Sequence, residues 1–376
     1  MYTFSFFNIL SIFFIFEFFL ILEFNYFMYK SCQHALHGLC FYSYAVVLCC
    51  YSPNEQINGS EAPVLFRDYQ GEIIPKTELF KKMREYSDIF KNGGTPNSCK
   101  GCFKIQEADW DEDEYIDFVT VTHYTCCNAD CVYCSNNLEP SERTNDKYEI
   151  LPFLKYLKQE GVLKENFELH LGGGEFTIYK ECEGILQEFG ATGFAKIFVA
   201  TNGIKFSQGL YDSIKYGGAN IVISLDCGSK NTFKKIKRVD AFDKVVENIK
   251  KYAQADPIKV TMKYIIIPGM NDSMSEYCKF LKICEEAGIN NIRIDIDCRY
   301  LRKYNNELNP FYYSLIEKMK EKTVKKGFYY EDYSFLLQAM NTGIKKKSLN
   351  SLIEYIKLKY LKSLVEELYT ERKYNT

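Results

Sequence analysis

From Asp117 to about residue 300 the chain alternates short apolar runs with amphipathic stretches, and this alternation restricts the folds open to it more than any other feature. Runs at about 117–122, 167–172, 196–201, 220–225, 258–267 and 291–297 are nearly continuous in apolar character, as buried parallel strands are. Between them, AFDKVVENIKKY puts Phe242, Val245, Val246 and Ile249 on one helical face, and residues 276–288 repeat the pattern. Six strands joined by crossover helices predict an α/β fold, a parallel sheet curled into a partial (β/α)6 barrel with right-handed crossovers. In such a sheet chemistry collects at the carboxyl ends of the strands.

The loop after the first of these strands reads HYTCCNADCVYCSNN, with Cys127, Cys131 and Cys134 in the spacing C-x3-C-x2-C. Three thiolates on one short loop can ligate three irons of a cubane and leave the fourth iron open to a small molecule. A zinc site closes with four ligands, and the neighbouring Cys126 would have to bend the loop sharply to be the fourth; zinc or free buried thiols are the alternative reading. Three later strands end in GGGEFT (Gly172, Gly173, Gly174, Glu175), FVATNG (Thr201, Asn202) and IVISLD (Ser224, Asp226). Glycines suit a place where a ligand approaches the backbone closely. Asn202 and Ser224 are short polar groups suited to ribose or carboxylate, and Asp226 orients them or reaches a substrate. Strand-end capping and turn formation account for the same residues without a ligand.

In their order and spacing these segments resemble the radical S-adenosylmethionine (SAM) enzymes over about residues 117 to 300. The resemblance implies a 4Fe-4S cluster on Cys127, Cys131 and Cys134 whose open iron chelates S-adenosylmethionine. It implies that the backbone of Gly173 and Gly174 holds the methionine amino group beside Glu175, that Tyr133 packs near adenine, and that Thr201, Asn202 and Ser224 face the cofactor. Phe176 stands where that family usually has proline, and YIIIPGMND matches its fifth strand loosely. The implied chemistry is reductive cleavage of the cofactor to methionine and a 5'-deoxyadenosyl radical, fed by a flavodoxin- or ferredoxin-like electron donor. The radical would oxidatively modify a peptide or a small polar metabolite. Asp226 and Cys298 are the catalytic candidates, Cys298 together with Asp295 and Asp297 as a proton or hydrogen donor; a salt bridge to Arg299 or Arg302 is the other reading of that segment. A non-catalytic iron-sulfur or zinc-binding scaffold of the same fold is the competing class.

Ahead of the barrel lies a second cysteine group. HGLCFYSYAVVLCC reads as two strands around a turn ending at Cys49 and Cys50, residues 77–91 as a helix, and CKGC as a two-cysteine knuckle. The order resembles the auxiliary-cluster modules called SPASM or twitch, which implies a second 4Fe-4S cluster on Cys32, Cys49 or Cys50, Cys99 and Cys102; zinc and free thiols are the alternatives. Cys40 is expected in the core. The acidic run at residues 107–117 reads as a solvated linker, with a docking face for an electron carrier as a second reading. The organisation expected is therefore an apolar leader (1–27), a cysteine-rich module and linker (28–116), the barrel (117–300) and a helical extension (301–376), whose SLIEYIKLKYLKSLVEEL has Ser351 and Glu354 in capping-box spacing.

Composition narrows the partners. A net charge of -2, from 47 basic and 49 acidic residues, gives no broad attraction to nucleic acid. Fifteen cysteines, several in metal-ligand spacings, fit a reducing, cytoplasmic compartment. His34, His37, His123 and His170 are too scattered for a zinc-hydrolase site. Residues 1–27 hold 10 of the 29 phenylalanines and no lysine or arginine. They are long enough to span a bilayer but are interrupted by Glu17 and Glu23, and they lack the basic start of a secretory signal. The expectation is an upstream extension with translation beginning at Met28; a membrane anchor is the alternative.

Overall fold

The computed structural model describes residues 28–49, 63–100, 102, 104–111, 113–134, 148–303 and 310–332. Among these the leader, Cys50 and the expected helix near residues 351–368 do not fall. No helix among the described residues is long and apolar enough to cross a membrane.

The chain opens with β1 (Tyr29–Ser31), α1 (Gln33–His37), β2 (Gly38–Tyr42), β3 (Ala45–Val47), β4 (Val64–Arg67), α2 (Lys76–Lys91) and β5 (Gln106–Ala108). The alternating part follows: β6 (Ile116–Val121), α3 (Leu151–Gln159), β7 (Leu163–Leu171), α4 (Cys182–Ile185), β8 (Ala195–Thr201), α5 (Gln208–Tyr216), β9 (Asn220–Ser224), α6 (Lys230–Lys237), α7 (Phe242–Ala255) and β10 (Val260–Ile266). It closes with α8 (Met274–Glu286), β11 (Asn291–Ile296), α9 (Cys298–Lys303), α10 (Pro310–Lys325) and β12 (Tyr329–Asp332). Ten strands form one sheet in the order β12-β11-β10-β9-β8-β7-β6-β2-β3-β4. Every neighbouring pair from β12 to β2 is parallel, whereas β3 is antiparallel to both β2 and β4, so β3 alone runs the other way. The six expected strands are β6 to β11, and β12 and β2 extend the parallel set at either side.

Alternation along each strand separates two faces. In β8, Ile197 and Val199 are buried with the helices, while Phe198 is half-buried and Lys196 and Ala200 are exposed on the opposite face. On that opposite face the rings of Phe118, His170 and Phe198 stack across β6, β7 and β8 at centroid separations of 4.8 and 4.7 Å. The helices are started by their own side chains: Ser207 caps α5 by accepting from Leu210 N at 3.1 Å, and Ser273 caps α8 by accepting from Glu276 N at 3.2 Å. Glu276 turns away from its own helix and accepts from Gly228 N and Ser229 Oγ at 2.9 and 2.8 Å, tying the start of α6 to α8.

The segment ahead of the barrel is not a separate layer. Its hairpin, expected at residues 37–50, is β2 and β3, and β2 pairs directly with β6, Leu39 opposite Val119 and Phe41 opposite Val121. Phe41 is fully buried and its ring meets Phe153 of α3 at 5.8 Å and Tyr69 at 6.1 Å, so one core spans the junction. Cys40 is buried, as expected. The acidic run is only partly a linker: its first residues form β5 against β1, Trp110 Nε1 donates to Tyr29 O at 2.8 Å, and Tyr115 stacks on His37 at 3.9 Å.

His123 is fully buried at the start of the cysteine loop, stacked on Tyr148 at 4.2 Å, with Nε2 3.1 Å from Tyr148 O and 3.0 Å from the Tyr179 hydroxyl. Burial holds its pKa down to about 4, and Nδ1 is buried without a partner for a second proton.

Two outcomes follow. Phe41→Ala is expected to cost about 3–5 kcal/mol and to leave a single denaturant transition followed by fluorescence and circular dichroism; two separate transitions would show that residues 28–116 fold apart from the barrel. Because the folded-state pKa of His123 lies below its unfolded value, the unfolded chain binds the extra proton: stability is full above about pH 6.5 and declines as pH falls toward 4. His123→Phe is expected to flatten that decline in metal-free protein, read from melting midpoints across the window.

Candidate functional site

At the carboxyl end of β6 the chain leaves regular structure, and the loop from Thr122 to Cys134 is held by every element around it. On one side is the end of β7. Gly174 N donates to Tyr124 O at 2.9 Å and Glu175 N to Cys126 O at 2.7 Å. A Cβ on Gly173, where φ is +105°, would stand 2.8 Å from Tyr124 O, and one on Gly174 would stand 2.1 Å from Cys126 O. These two glycines are therefore required by the chain's own loop, whatever else approaches them. Gly172 is under no such pressure, since a Cβ there would meet only Thr122 Cγ2 at 3.8 Å.

Glu175 is the junction between strand ends. Its buried carboxylate accepts from Thr177 N and Oγ1 at 3.2 and 2.7 Å, from Thr201 Oγ1 at 2.6 Å and from Asn202 N at 2.6 Å. All these donors are neutral, and among the described residues no lysine, arginine or histidine forms a salt bridge with it. The Asn202 side chain turns to the loop as well, donating to Asn128 Oδ1 at 2.7 Å and lying 3.8 Å from Cys127 Sγ. Thr201 and Asn202 thus spend their side chains on Glu175 and the loop. Ser224 is half-buried on the face opposite the helices, in register with Lys263.

On the other side the loop meets the end of α6. Val132 N donates to Ile236 O at 2.9 Å and Asp130 N to Lys237 O at 3.0 Å, so the loop satisfies carbonyls that a helix end leaves open. Arg238 pairs with Asp130 at 3.1 Å. Lys237 is 1% exposed and its Nζ lies 2.6 Å from Asp226 Oδ2 and 2.6 Å from the Tyr133 hydroxyl, which itself donates to Asp226 Oδ2 at 2.5 Å. The other Asp226 oxygen accepts from Ile265 N at 2.8 Å. Asp226, 0% exposed, is engaged inside the protein through both carboxylate oxygens. Tyr133 is tethered at its far end by the same pair.

The segment after β11 is also structural where it is described. Asp297 receives Arg299 Nε at 3.0 Å and Nη2 at 2.5 Å, the salt bridge weighed from the sequence, and Arg299 Nη1 donates to Val132 O of the cysteine loop. Asp295 is buried, and desolvation raises its pKa. Cys298 opens helix α9 rather than ending a strand, and its side chain lies outside the described residues.

Cys127, Cys131 and Cys134 are partly buried on this clamped loop. Burial pushes the Cys127 thiol up to about 11 and raises Cys131, whose rise is opposed by the Lys237 charge. Among the described residues no three His, Cys, Asp or Glu side chains converge on one point as ligands of a single ion.

The second cysteine group is assembled from distant segments: Cys32, Cys49, Cys99 and Cys102 line one small apolar cavity with Leu48, Tyr86 and Phe90. Cys32 is buried and pushed up to about 11 by desolvation. Topology fixes where this cavity lies. Cys32 precedes β2, and β3 runs back so that Cys49 returns to the same, amino end of the sheet. The three-cysteine loop leaves the opposite end of β6, a strand of six residues and therefore about 20 Å long.

Sequence reading missed Lys237, Arg238 and Asn271, whose Nδ2 holds Asp226 O at 2.7 Å. One signal was present: Phe233, Ile236 and Lys237 occupy one face of α6, so the lysine falls on the buried side of a basic helix. Gly174→Ala is expected to cost about 3 kcal/mol or more through overpacking, whereas Gly172→Ala shifts stability by no more than about 1 kcal/mol. Melting midpoints of the two variants check the contrast, and equal effects would mean that the loop does not press on Gly174.

Residues 121–281 match the family model described as the Radical SAM superfamily. Similar curated proteins include one from Saccharolobus islandicus named "Probable GTP 3',8-cyclase", 30% identical over 179 residues, 47% of this chain and 54% of that one. Another is "Molybdenum cofactor biosynthesis protein 1" of Dictyostelium discoideum, 31% identical over 236 residues, 59% of this chain and 36% of that one. Against the first of these the chain spans about half the relative's length. Among solved structures, Streptococcus suis SuiB bound to precursor peptide SuiA aligns with 72% of this chain and 56% of its own at 12% identity and a TM-score of 0.45. The family match runs from the last residue of β6 through the cysteine loop into α8, and over that stretch the chain is similar to the radical SAM superfamily.

Proposed function

We propose that this protein is a radical SAM enzyme that uses Cys127, Cys131 and Cys134 to hold a 4Fe-4S cluster at the carboxyl ends of the strands. The observation that carries the reading is the clamped loop: three partly buried thiols in the spacing C-x3-C-x2-C, on a loop bonded to the ends of β7, β8 and α6. Three thiols so spaced on one loop suit a cubane, in which each thiolate meets a different iron. When bound, the cluster supplies the electron that splits the sulfonium carbon–sulfur bond of S-adenosylmethionine into methionine and a 5'-deoxyadenosyl radical. The chain's contribution is placement. The strand end at Gly173 and Gly174 borders the loop, and Glu175, whose buried carboxylate has only neutral donors, supplies negative charge for the methionine ammonium. Ser224, half-buried on the inner face, is the hydroxyl suited to the ribose.

The substrate class proposed is a peptide or a small polar metabolite, oxidised after loss of one hydrogen. The relatives named for GTP 3',8-cyclisation add a purine nucleotide to the metabolites worth testing. A flavodoxin- or ferredoxin-like protein is the proposed reductant.

The cavity lined by Cys32, Cys49, Cys99 and Cys102 is proposed to hold an auxiliary 4Fe-4S cluster. Its position at the amino end of the sheet, about 20 Å from the three-cysteine loop, gives it no access to a substrate at the other end. It acts as a staple joining the amino-terminal arm, the β2–β3 hairpin and the CKGC knuckle, and as a site through which an electron can enter.

Anaerobic reconstitution with iron and sulfide is expected to load on the order of eight irons per chain, and reduction in the presence of S-adenosylmethionine is expected to release 5'-deoxyadenosine. Cys99→Ala with Cys102→Ala halves the iron and leaves 5'-deoxyadenosine formation by a chemical reductant in place; Cys127→Ala abolishes it. A chain that binds zinc on the three-cysteine loop and makes no 5'-deoxyadenosine would overturn the reading.

A further inference from the structure

A buried lysine with no part in the reading above sits where the cysteine loop meets α6. Lys237 and Asp226 are 1% and 0% exposed and face each other at 2.6 Å. Burying such a pair costs several kcal/mol per ion before attraction offsets it, so a pair lost to solvent in this way calls for a reason. Both members are fixed by their backbones. Asp226 has φ 60° in the left-handed region, held by Asn271 Nδ2 on its carbonyl and Ile265 N on its carboxylate. Lys237 is the last residue of α6, and Arg238 after it has φ 54°. Strained non-glycine backbone on both sides of one contact persists only where the surroundings dictate it.

The third member is Tyr133, next to Cys134. Its hydroxyl donates to Asp226 at 2.5 Å and accepts from Lys237 at 2.6 Å, while the ammonium also lies 5.0 Å from the ring centroid. The pair therefore grips the final turn of the loop by a side chain, and the carbonyls of Ile236 and Lys237 grip it by the backbone at Val132 and Asp130. Cys131 lies between the two grips.

Resting on the assignment of Cys127, Cys131 and Cys134 to a cluster, we propose that Lys237 is a positioning residue: with Asp226 it latches Tyr133 and so sets the loop's thiols in place before any metal arrives.

The test has one arm without metal and one with it. In the metal-free full-length chain, hydrogen–deuterium exchange of the peptide covering residues 126–134 is expected to be slow. It speeds up at least tenfold in Tyr133→Phe, which leaves the ion pair whole, and in the double variant Lys237→Met with Asp226→Asn, which removes both charges together. Peptides from β8 are expected to exchange unchanged. In the reconstituted full chain, Tyr133→Phe and the double variant are each expected to alter the electron paramagnetic resonance spectrum of the three-cysteine cluster. If the double variant does not fold, Tyr133→Phe decides the matter by its exchange alone. Loop exchange and cluster spectrum equal to wild type in folded variants overturn the latch. A wild-type chain that forms no iron-sulfur cluster but shows the exchange contrast instead overturns the cluster assignment and leaves the latch standing.

Discussion

A loop of irregular backbone at the mouth of a sheet must find partners for its peptide groups outside itself, because a buried unpaired amide or carbonyl costs about as much as a lost hydrogen bond. The loop from Thr122 to Cys134 answers this by bonding to the ends of β7 and α6 and to Asn202 after β8. Everything else at this end of the molecule is arranged around those bonds. Gly173 and Gly174 lack side chains because carbonyls of the loop occupy the space. Glu175 is buried because it joins the strand ends that carry the loop. The carbonyls at the end of α6 point to loop amides instead of water.

The same parallel arrangement separates the two cysteine groups. Parallel strands put all their carboxyl ends on one rim, and the hairpin β2–β3 adds one more strand in the same direction before turning back. Whatever precedes β2 or follows β3 is delivered to the opposite rim. Cys32 and Cys49 share that fate, and Cys99 and Cys102 join them because their segment leads into the amino end of β6. The second cysteine group is therefore a strand's length from the first by construction.

Much of this was legible in the chain. The six central strands fall within a few residues of their apolar runs because strands covered by helices exclude polar residues from the covered face, and the helix near residues 77–91 and the hairpin ending at Cys49 were equally plain. The cysteine loop and the three strand endings could be read because cofactor chemistry confines residue types to fixed spacings. The uses of those residues were not legible. Thr201 and Asn202 look from the sequence like cofactor contacts, yet their side chains hold Glu175 and Asn128. Asp226 looks available, yet it is sealed under Lys237 and Tyr133.

The sequence by itself determined the order of strands and helices, the end of the sheet where chemistry gathers, and the three-cysteine spacing, since each depends on residues near one another in the chain. Only the tertiary structure decided that Lys237 lies 2.6 Å from Asp226, that the glycines yield to the loop's own carbonyls, and that Cys32, Cys49, Cys99 and Cys102 share one cavity. Those contacts join residues up to about a hundred positions apart, such as Tyr133 and Lys237, and no local pattern records which distant side chain will fill the space beside a given one.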